Sequence, residues 1–301
     1  ELTEEEKATY NRHIVHKLET NFDVISVLKP FVDKQQKVLI VMNTVKKAQF
    51  CYKQLKDYFP GVDIMLLHSR FKLEDRKTKE DTLYEWNKRI EGCIVIATQI
   101  VEVSLDISFD VMFTDPAPID SLIQRFGRVN RIRSVHTIGK LKPVYIFPLP
   151  EKEREYLPYN KETVSKSYSV LPNNEVLQET CLQLMIDEVY PEPLSNKEIE
   201  EFTITRQGGF SIMRKLEHMP RNILTELLEI ESASAITESD LIRYKCSEPA
   251  ERKNIEIPVN YKSIAFYGFP VEETGSRPFI VQDEMYTFDT ELLLTNNFTN
   301  N

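Results

Sequence analysis

Tryptophan occurs once and glycine eight times in 301 residues, and only four cysteines are present. Cys51, Cys93, Cys181 and Cys246 are widely scattered with no Cys-x-x-Cys pair, which argues against a zinc site and against a disulfide framework. Such usage fits a reducing cytoplasm. No apolar run approaches the ~20 residues that a membrane span needs, and nothing at the start reads as a signal peptide. The chain opens Glu1-Leu2-Thr3 rather than with Met, and so reads as part of a longer protein. No Gly-x-x-x-x-Gly-Lys-Ser/Thr loop for cradling a triphosphate is present, and Gly139-Lys140 lacks the preceding glycine. His13 and His16 stand three apart, but no further histidine or carboxylate joins them at ligand spacing, so no metal site is expected. They read as part of a strand or helix leading into the domain.

The formal net charge is −9, which argues against wholesale binding to nucleic acid. Its distribution says more. Between Ser121 and Pro150 there is no acidic residue, yet Arg125, Arg128, Arg131, Arg133, Lys140 and Lys142 all lie there. Three of the arginines recur every third residue, which keeps them on one side of a helix end. Guanidiniums so close repel unless an anion sits among them. Phosphate suits them, because the planar fork matches phosphoryl oxygens and never loses its charge.

The first half alternates strand and helix patterns. Val38–Met42 is a continuous apolar run, as a strand buried on both faces would be, and Asn43 and Thr44 then offer capping side chains. Val45, Ala48, Tyr52, Leu55 and Phe59 recur at helical spacing until Pro60-Gly61. Val62–Leu67 reads as a strand, residues 72 to 89 as a charged helix, and Cys93–Ala97 and Asp110–Thr114 as further strands. Pro116 and Pro118 precede a short helix turning Ile119, Leu122, Ile123 and Phe126 inward, and Val144–Phe147 is another strand. This alternation implies an α/β fold with a parallel sheet flanked by helices, in which loops past the carboxyl ends of strands build sites. His68-Ser69-Arg70 and Thr98-Gln99 fall there. Beyond Pro148, Pro150 and Pro158 the pattern changes. Helices are expected over about 175–189, 196–205 and 220–231, followed by a strand-rich end carrying Ile264, Phe266, Tyr267, Phe279, Val281, Tyr286 and Phe288.

Two segments carry a resemblance: Thr98-Gln99-Ile100-Val101-Glu102-Val103-Ser104-Leu105-Asp106 and Ala117-Pro118-Ile119-Asp120-Ser121-Leu122-Ile123-Gln124-Arg125-Phe126-Gly127-Arg128-Val129-Asn130-Arg131. They resemble motifs V and VI of superfamily 2 helicases and, more narrowly, those of the CRISPR-associated type I interference helicase–nuclease family. Gln124 and Ser104-Leu105-Asp106 depart from the DEAD-box pattern. The resemblance covers about the first 150 residues well and implies a second RecA-like helicase domain at 1–150, with motifs IV, V and VI. A linker and helix at 151–194 would lead to a smaller mixed α/β accessory domain at 195–301.

What this implies is a motor half that acts in the cytoplasm. ATP and Mg2+ would be bound mainly by a first motor domain whose motifs are missing here. Arg128 and Arg131 would be catalytic, reaching the γ-phosphate, where such an arginine contributes about a thousandfold or more. Gln124, Asp106 and Arg125 would contact ATP. Asn43, Thr44, His68, Ser69, Arg70, Thr98 and Gln99 would hold a nucleic-acid backbone, and Glu102 would orient Arg128 or Arg131 or form a buried structural ion pair. For Asn43-Thr44 the plain reading is a helix cap. Implied partners are single-stranded DNA, a CRISPR RNA-guided surveillance complex, and the HD nuclease and first RecA-like domains; the family's His-Asp nuclease dyad is absent. Two alternatives stand beside this one: the motor half of another superfamily 2 DNA or RNA helicase, and a non-catalytic RecA-like docking module.

Overall fold

A computed structural model describes residues 3, 6, 8–20, 22–104, 107–132, 134, 137–191, 232–264 and 267–292. The chain divides into two compact units, residues 1–69 with 75–189, and residues 70–74 with 190–301.

The first unit is built on a seven-stranded sheet. Its strands are β1 (His13–Lys17), β2 (Lys37–Val41), β3 (Ile64–Leu67), β4 (Cys93–Ala97), β5 (Val111–Thr114), β6 (Lys142–Ile146) and β7 (Glu175–Val176). They lie in the order β3-β4-β2-β5-β6-β1-β7, all neighbours parallel except β7, which runs antiparallel to β1. β2, β4 and β5 are apolar at nearly every position because both their faces are covered, as parallel strands require.

Alternate residues divide between the faces. Leu39, Val41, Val95, Ala97, Met112, Val144 and Ile146 share one core with Leu83 of α3 (Leu73–Lys88), Val101 of α4 (Ile100–Ser104) and Ile119, Leu122 and Phe126 of α5 (Ile119–Phe126). On the other face α1 (Val24–Asp33) sets Phe31 edge-on against Phe113 and Tyr145. There α2 (Val45–Tyr58) buries Ala48, Cys51, Tyr52 and Leu55. Asp23 caps α1 by accepting from the amides of Ile25 and Ser26, and Thr44 caps α2 by accepting from Lys47 at 3.3 Å.

Residues 151–189 belong to this first unit. α6 (Lys161–Val170) is capped by Asn160, and its Ser167 hydroxyl accepts from the Ile119 amide at 2.9 Å, capping α5 in turn. The helix expected over 175–189 is shorter: residues 175–176 pair with β1, a 3₁₀ turn covers Glu179–Cys181, and α7 spans Leu182–Val189. Pairing with an open sheet edge has overridden the helical periodicity of that stretch. The helices expected over 196–205 and 220–231 lie outside the described residues.

The second unit is smaller and mixed. β8 (Ser232–Thr237) lies between β9 (Ile257–Asn260), antiparallel, and β10 (Phe279–Val281), parallel. Ala235, Ile257, Val259, Ile264 and Val281 form its core, with helices over Leu241–Cys246 and Pro249–Ile255. Of the residues expected in strands, Phe279, Val281 and Tyr286 are so placed, whereas Ile264 ends a short helix and Phe266 lies outside the described residues. Among the described residues no helix is long and apolar enough to cross a membrane.

Candidate functional site

The sheet register brings three loops to one edge. Val41 and Leu67 are both register partners of Ala97, so the residues just past β2, β3 and β4 are neighbours. Those are Asn43-Thr44, His68-Ser69 and Thr98-Gln99. Asn43, His68 and Thr98 are buried, Thr44 and Gln99 half-buried, and Ser69 exposed. Arg70, half-buried, opens the segment that clusters with the second unit.

Asn43, expected to touch a nucleic-acid backbone, has its side chain engaged within the fold. Its side chain donates to the Pro116 carbonyl at 2.8 Å and accepts from Arg125 at 3.1 Å, while its own amide donates to Asp115 at 2.9 Å. The Asn43 carbonyl also accepts from Gln99 Nε2 at 2.8 Å. Asn43 thus ties the loops together from within, and Thr44, as helix cap, has its hydroxyl oxygen turned to the Lys47 amide.

The most fully engaged of the expected site residues is Arg125. Its guanidinium is fully buried, and each of its five N–H groups has an acceptor. Nε donates to Glu102 at 2.8 Å, Nη1 to the Thr114 hydroxyl at 2.9 Å and the Asp115 carbonyl at 3.2 Å, and Nη2 to Asn43 and the Tyr159 hydroxyl, both at 3.1 Å. No donor remains for a phosphate. The helix itself explains the direction, since Arg125 lies three residues after Leu122 and next to Phe126, on the face that enters the core. Glu102 accordingly pairs with Arg125 and not with Arg128 or Arg131, taking the buried ion-pair role. Its backbone carbonyl, however, accepts a hydrogen bond from Arg128 Nη2.

Arg128, Asn130 and Arg131 follow α5 on a tight turn. The Gly127 amide donates to Ile123, that of Arg128 to Arg125 and that of Val129 to Phe126. Gly127 has an ordinary helical φ of −57°; the left-handed residue is Asn130, at φ +52°. α5 has by then carried the chain from the carboxyl ends of the strands back to their amino ends. There Phe109, just before β5, exchanges backbone bonds with Arg128 and Asn130, and His13 of β1 lies 3.0 Å from the Val129 carbonyl. Arg128 is nine-tenths buried, whereas Arg131 and Gln124 are exposed. The turn that carries Arg128 and Arg131 thus lies toward the amino ends of the strands and the candidate nucleic-acid residues at their carboxyl ends, with Arg125 and Glu102 between them. Asp106 lies outside the described residues.

Burial dominates the shifted groups near the site. His13 is driven from the ordinary 6.5 to about 4, because desolvation outweighs the Val129 hydrogen bond that favours its charged form. Cys51 is pushed up to about 12 by burial and, secondarily, by Asp115. Among the described residues no three His, Cys, Asp or Glu side chains gather as metal ligands. Residues missed from sequence are Asp115, Tyr159, His13 and Asn130, all of which hold the site by buried or part-buried hydrogen bonds. Asn130 alone carried a signal, an asparagine wedged between two arginines.

Residues 34–134 match the family model described as CRISPR-associated nuclease/helicase Cas3, C-terminal. The chain is 32% identical over 199 residues to a putative CRISPR-associated nuclease/helicase Cas3 of Methanocaldococcus jannaschii, covering 63% of this chain and 24% of that protein. Against the CRISPR-associated endonuclease/helicase Cas3 of Escherichia coli it is 42% identical over 122 residues, 38% of this chain and 14% of that one. The chain therefore spans at most about a quarter of these relatives. Its fold matches that of T. fusca Cas3, with a TM-score of 0.63 at 21% identity, covering 93% of this chain and 41% of the other; T. fusca Cas3 has also been solved with ADP and with ATP. A CRISPR RNA-guided surveillance complex contains a chain of the same fold, with a TM-score of 0.61 at 19% identity, covering 94% of this chain and 44% of that one. The family model, these relatives and the solved folds together support a Cas3 helicase C-terminal portion, with an α/β fold like that of the RecA-like domains of helicases.

Proposed function

We propose that this chain is the second half of an ATP-hydrolysing motor that moves along single-stranded DNA in CRISPR interference, and that it turns over no ATP alone. The observation that carries this reading is the division of labour among three evenly spaced arginines. Arg125 is consumed inside the fold, while Arg128 and Arg131 sit on a pinned turn with Arg131 at the surface. A surface guanidinium held on a rigid turn suits charge that develops on a transferring phosphoryl group, since it needs no rearrangement when the partner domain closes.

In this reading Arg131 reaches the γ-phosphate, and Arg128, anchored to the Glu102 carbonyl, stands behind it. Gln124 and Asp106 complete this side of the nucleotide. The first motor domain holds the phosphates and Mg2+, a division supported by the absence of a phosphate loop here. At the other edge Thr44, Ser69 and Gln99 touch phosphates of a single strand with hydroxyls and amides that do not read bases. Thr98, His68 and Asn43 support them from beneath. A surveillance complex is the partner that the likeness to a chain of such a complex supports, and an HD nuclease domain the further partner that the resemblance to Cas3 nuclease/helicases implies.

The test is steady-state ATPase of the complete protein with single-stranded DNA. Arg131→Ala is expected to lower turnover about a thousandfold, with ATP affinity changed only a few-fold. Lysine should rescue poorly, because it keeps the charge and loses the fork. Near-normal turnover in Arg131→Ala, or measurable ATP turnover by the pure chain described here, would overturn the reading.

A further inference from the structure

Between Arg128 and Arg131 lie only Val129 and Asn130, and both are tethered from several sides. Phe109 donates its amide to the Arg128 carbonyl at 2.9 Å and accepts from the Asn130 amide at 3.2 Å. Asn130 Nδ2 donates to the Lys140 carbonyl at 2.7 Å and to the Arg12 carbonyl at 3.3 Å, so both its amide hydrogens are used. The third tether is His13. Its Nε2 lies 3.0 Å from the Val129 carbonyl, and a carbonyl only accepts, so the ring must carry its proton on Nε2. Nδ1 is then a bare acceptor, buried and without a hydrogen-bond donor, with Glu179 Oε1 at 3.9 Å.

Two of these features are costly. Asn130 is a non-glycine residue at φ +52°, and the His13 ring leaves a buried nitrogen unsatisfied. Packing alone would be served as well by glycine at the one position and an apolar ring at the other. What they add is direction. The left-handed turn at Asn130 sends the chain outward, so that Arg128 stays nine-tenths buried while Arg131 emerges. The amide and imidazole then fix the two residues that separate the arginines.

We propose that His13 and Asn130 are positioning residues, setting the Arg128–Arg131 pair at the spacing and direction needed for phosphoryl transfer. This rests on the motor reading above. Neither side chain touches nucleotide; each acts through the backbone that carries the arginines, where a displacement of ~1 Å is enough to cost about a hundredfold in rate.

The experiment uses the complete protein with single-stranded DNA and compares kcat and KM for ATP in His13→Leu, His13→Gln, Asn130→Gly and Arg131→Ala. Asn130→Gly keeps the left-handed backbone and removes both amide bonds. It should lower kcat roughly 10- to 100-fold with KM within about threefold. His13→Leu should do the same, and His13→Gln, whose amide can still donate to Val129, should recover most of the loss. In the Arg131→Ala background, Asn130→Gly should add much less than its full effect, because one of the two guanidiniums it positions is already gone. If Arg131→Ala abolishes turnover while Asn130→Gly and His13→Leu keep normal kcat, or add their full effects to it, the positioning role is wrong and the motor reading stands. If Arg131→Ala itself keeps turnover, the motor reading fails and takes this inference with it. Should His13→Leu not fold, His13→Gln and the Asn130→Gly cycle carry the test.

Discussion

Arg125→Met separates an internal hub from a nucleotide ligand. Methionine keeps most of the packing of the stem and deletes the guanidinium. Glu102, with 11% of its side chain exposed, is left charged and unpaired, and the loss of one partner of a buried ion pair costs about 3–5 kcal/mol. Asn43, Thr114, Asp115 and Tyr159 lose a donor as well; each such orphan costs about 1–3 kcal/mol singly, less together once the pocket relaxes or admits water. A destabilisation of about 4 kcal/mol follows, equivalent to roughly 8–16 °C in Tm for a unit of this size. Arg125→Lys keeps the pairing with Glu102 but has three donors where five are used, so it should fall about halfway. Adding Glu102→Gln to Arg125→Met should recover part of the loss, because the stranded charge is removed. The assay is urea unfolding of the chain described here, followed by a probe in the first unit. A change below about 1 kcal/mol, together with lost ATP turnover in the complete protein, would show that Arg125 faces nucleotide and refute the hub.

Two further changes test the frame around the site. Gly92→Ala would place its Cβ 2.6 Å from the carbonyl carbon of Gln35, itself at φ +55°, so the backbone must shift; a loss of about 1–3 kcal/mol in urea unfolding is expected, and an unchanged midpoint would contradict the close approach. His13 supplies a pH dependence with a definite sign. Its ring stays neutral in the fold down to about 4 but takes a proton at the ordinary 6.5 when unfolded, so its contribution is full above pH 6.5 and is lost as pH falls toward 4. The difference in stability between the wild type and His13→Gln should change by up to about 3 kcal/mol across that window; parallel profiles would mean that the ring is not buried neutral.

Residue types and the central strands were legible in the sequence, and directions were less so. β2, β4 and β5 announce themselves because strands covered on both faces must be apolar throughout, and Pro116 and Pro118 place the start of α5. β1 reads poorly, since His13 and His16 interrupt a short segment whose partners are 129 residues away in sequence, at Lys142 to Ile146. β7 is two residues long and exists only because β1 offers an edge, which no local pattern encodes. At the site, even spacing made Arg125, Arg128 and Arg131 look alike. Helical phase distinguishes the first, three residues after Leu122, but the buried acceptors that make its burial possible come from β5, α4 and the loops before α2 and α6. A sequence shows that phosphate-binding residue types are gathered; which of them faces inward depends on partners far along the chain.

Those distant partners also explain why a fully buried guanidinium is tolerated beside so many apolar side chains. Gln99 donates to Asn43, Asn43 accepts from Arg125, Arg125 pairs with Glu102, and the Glu102 carbonyl accepts from Arg128. This run of contacts crosses from the carboxyl ends of β2 and β4 to the turn beyond α5. An apolar residue at position 125 could fill the same space, and well-packed replacements of buried ion pairs are often no less stable when both partners are changed. What an apolar residue cannot do is fix the orientation of four separate segments at once, which five directional donors in one plane achieve. Stability alone therefore does not account for Arg125. Registering the loops proposed to hold nucleic acid against the arginines proposed to meet phosphate does, and it requires a guanidinium at that position rather than any other buried side chain.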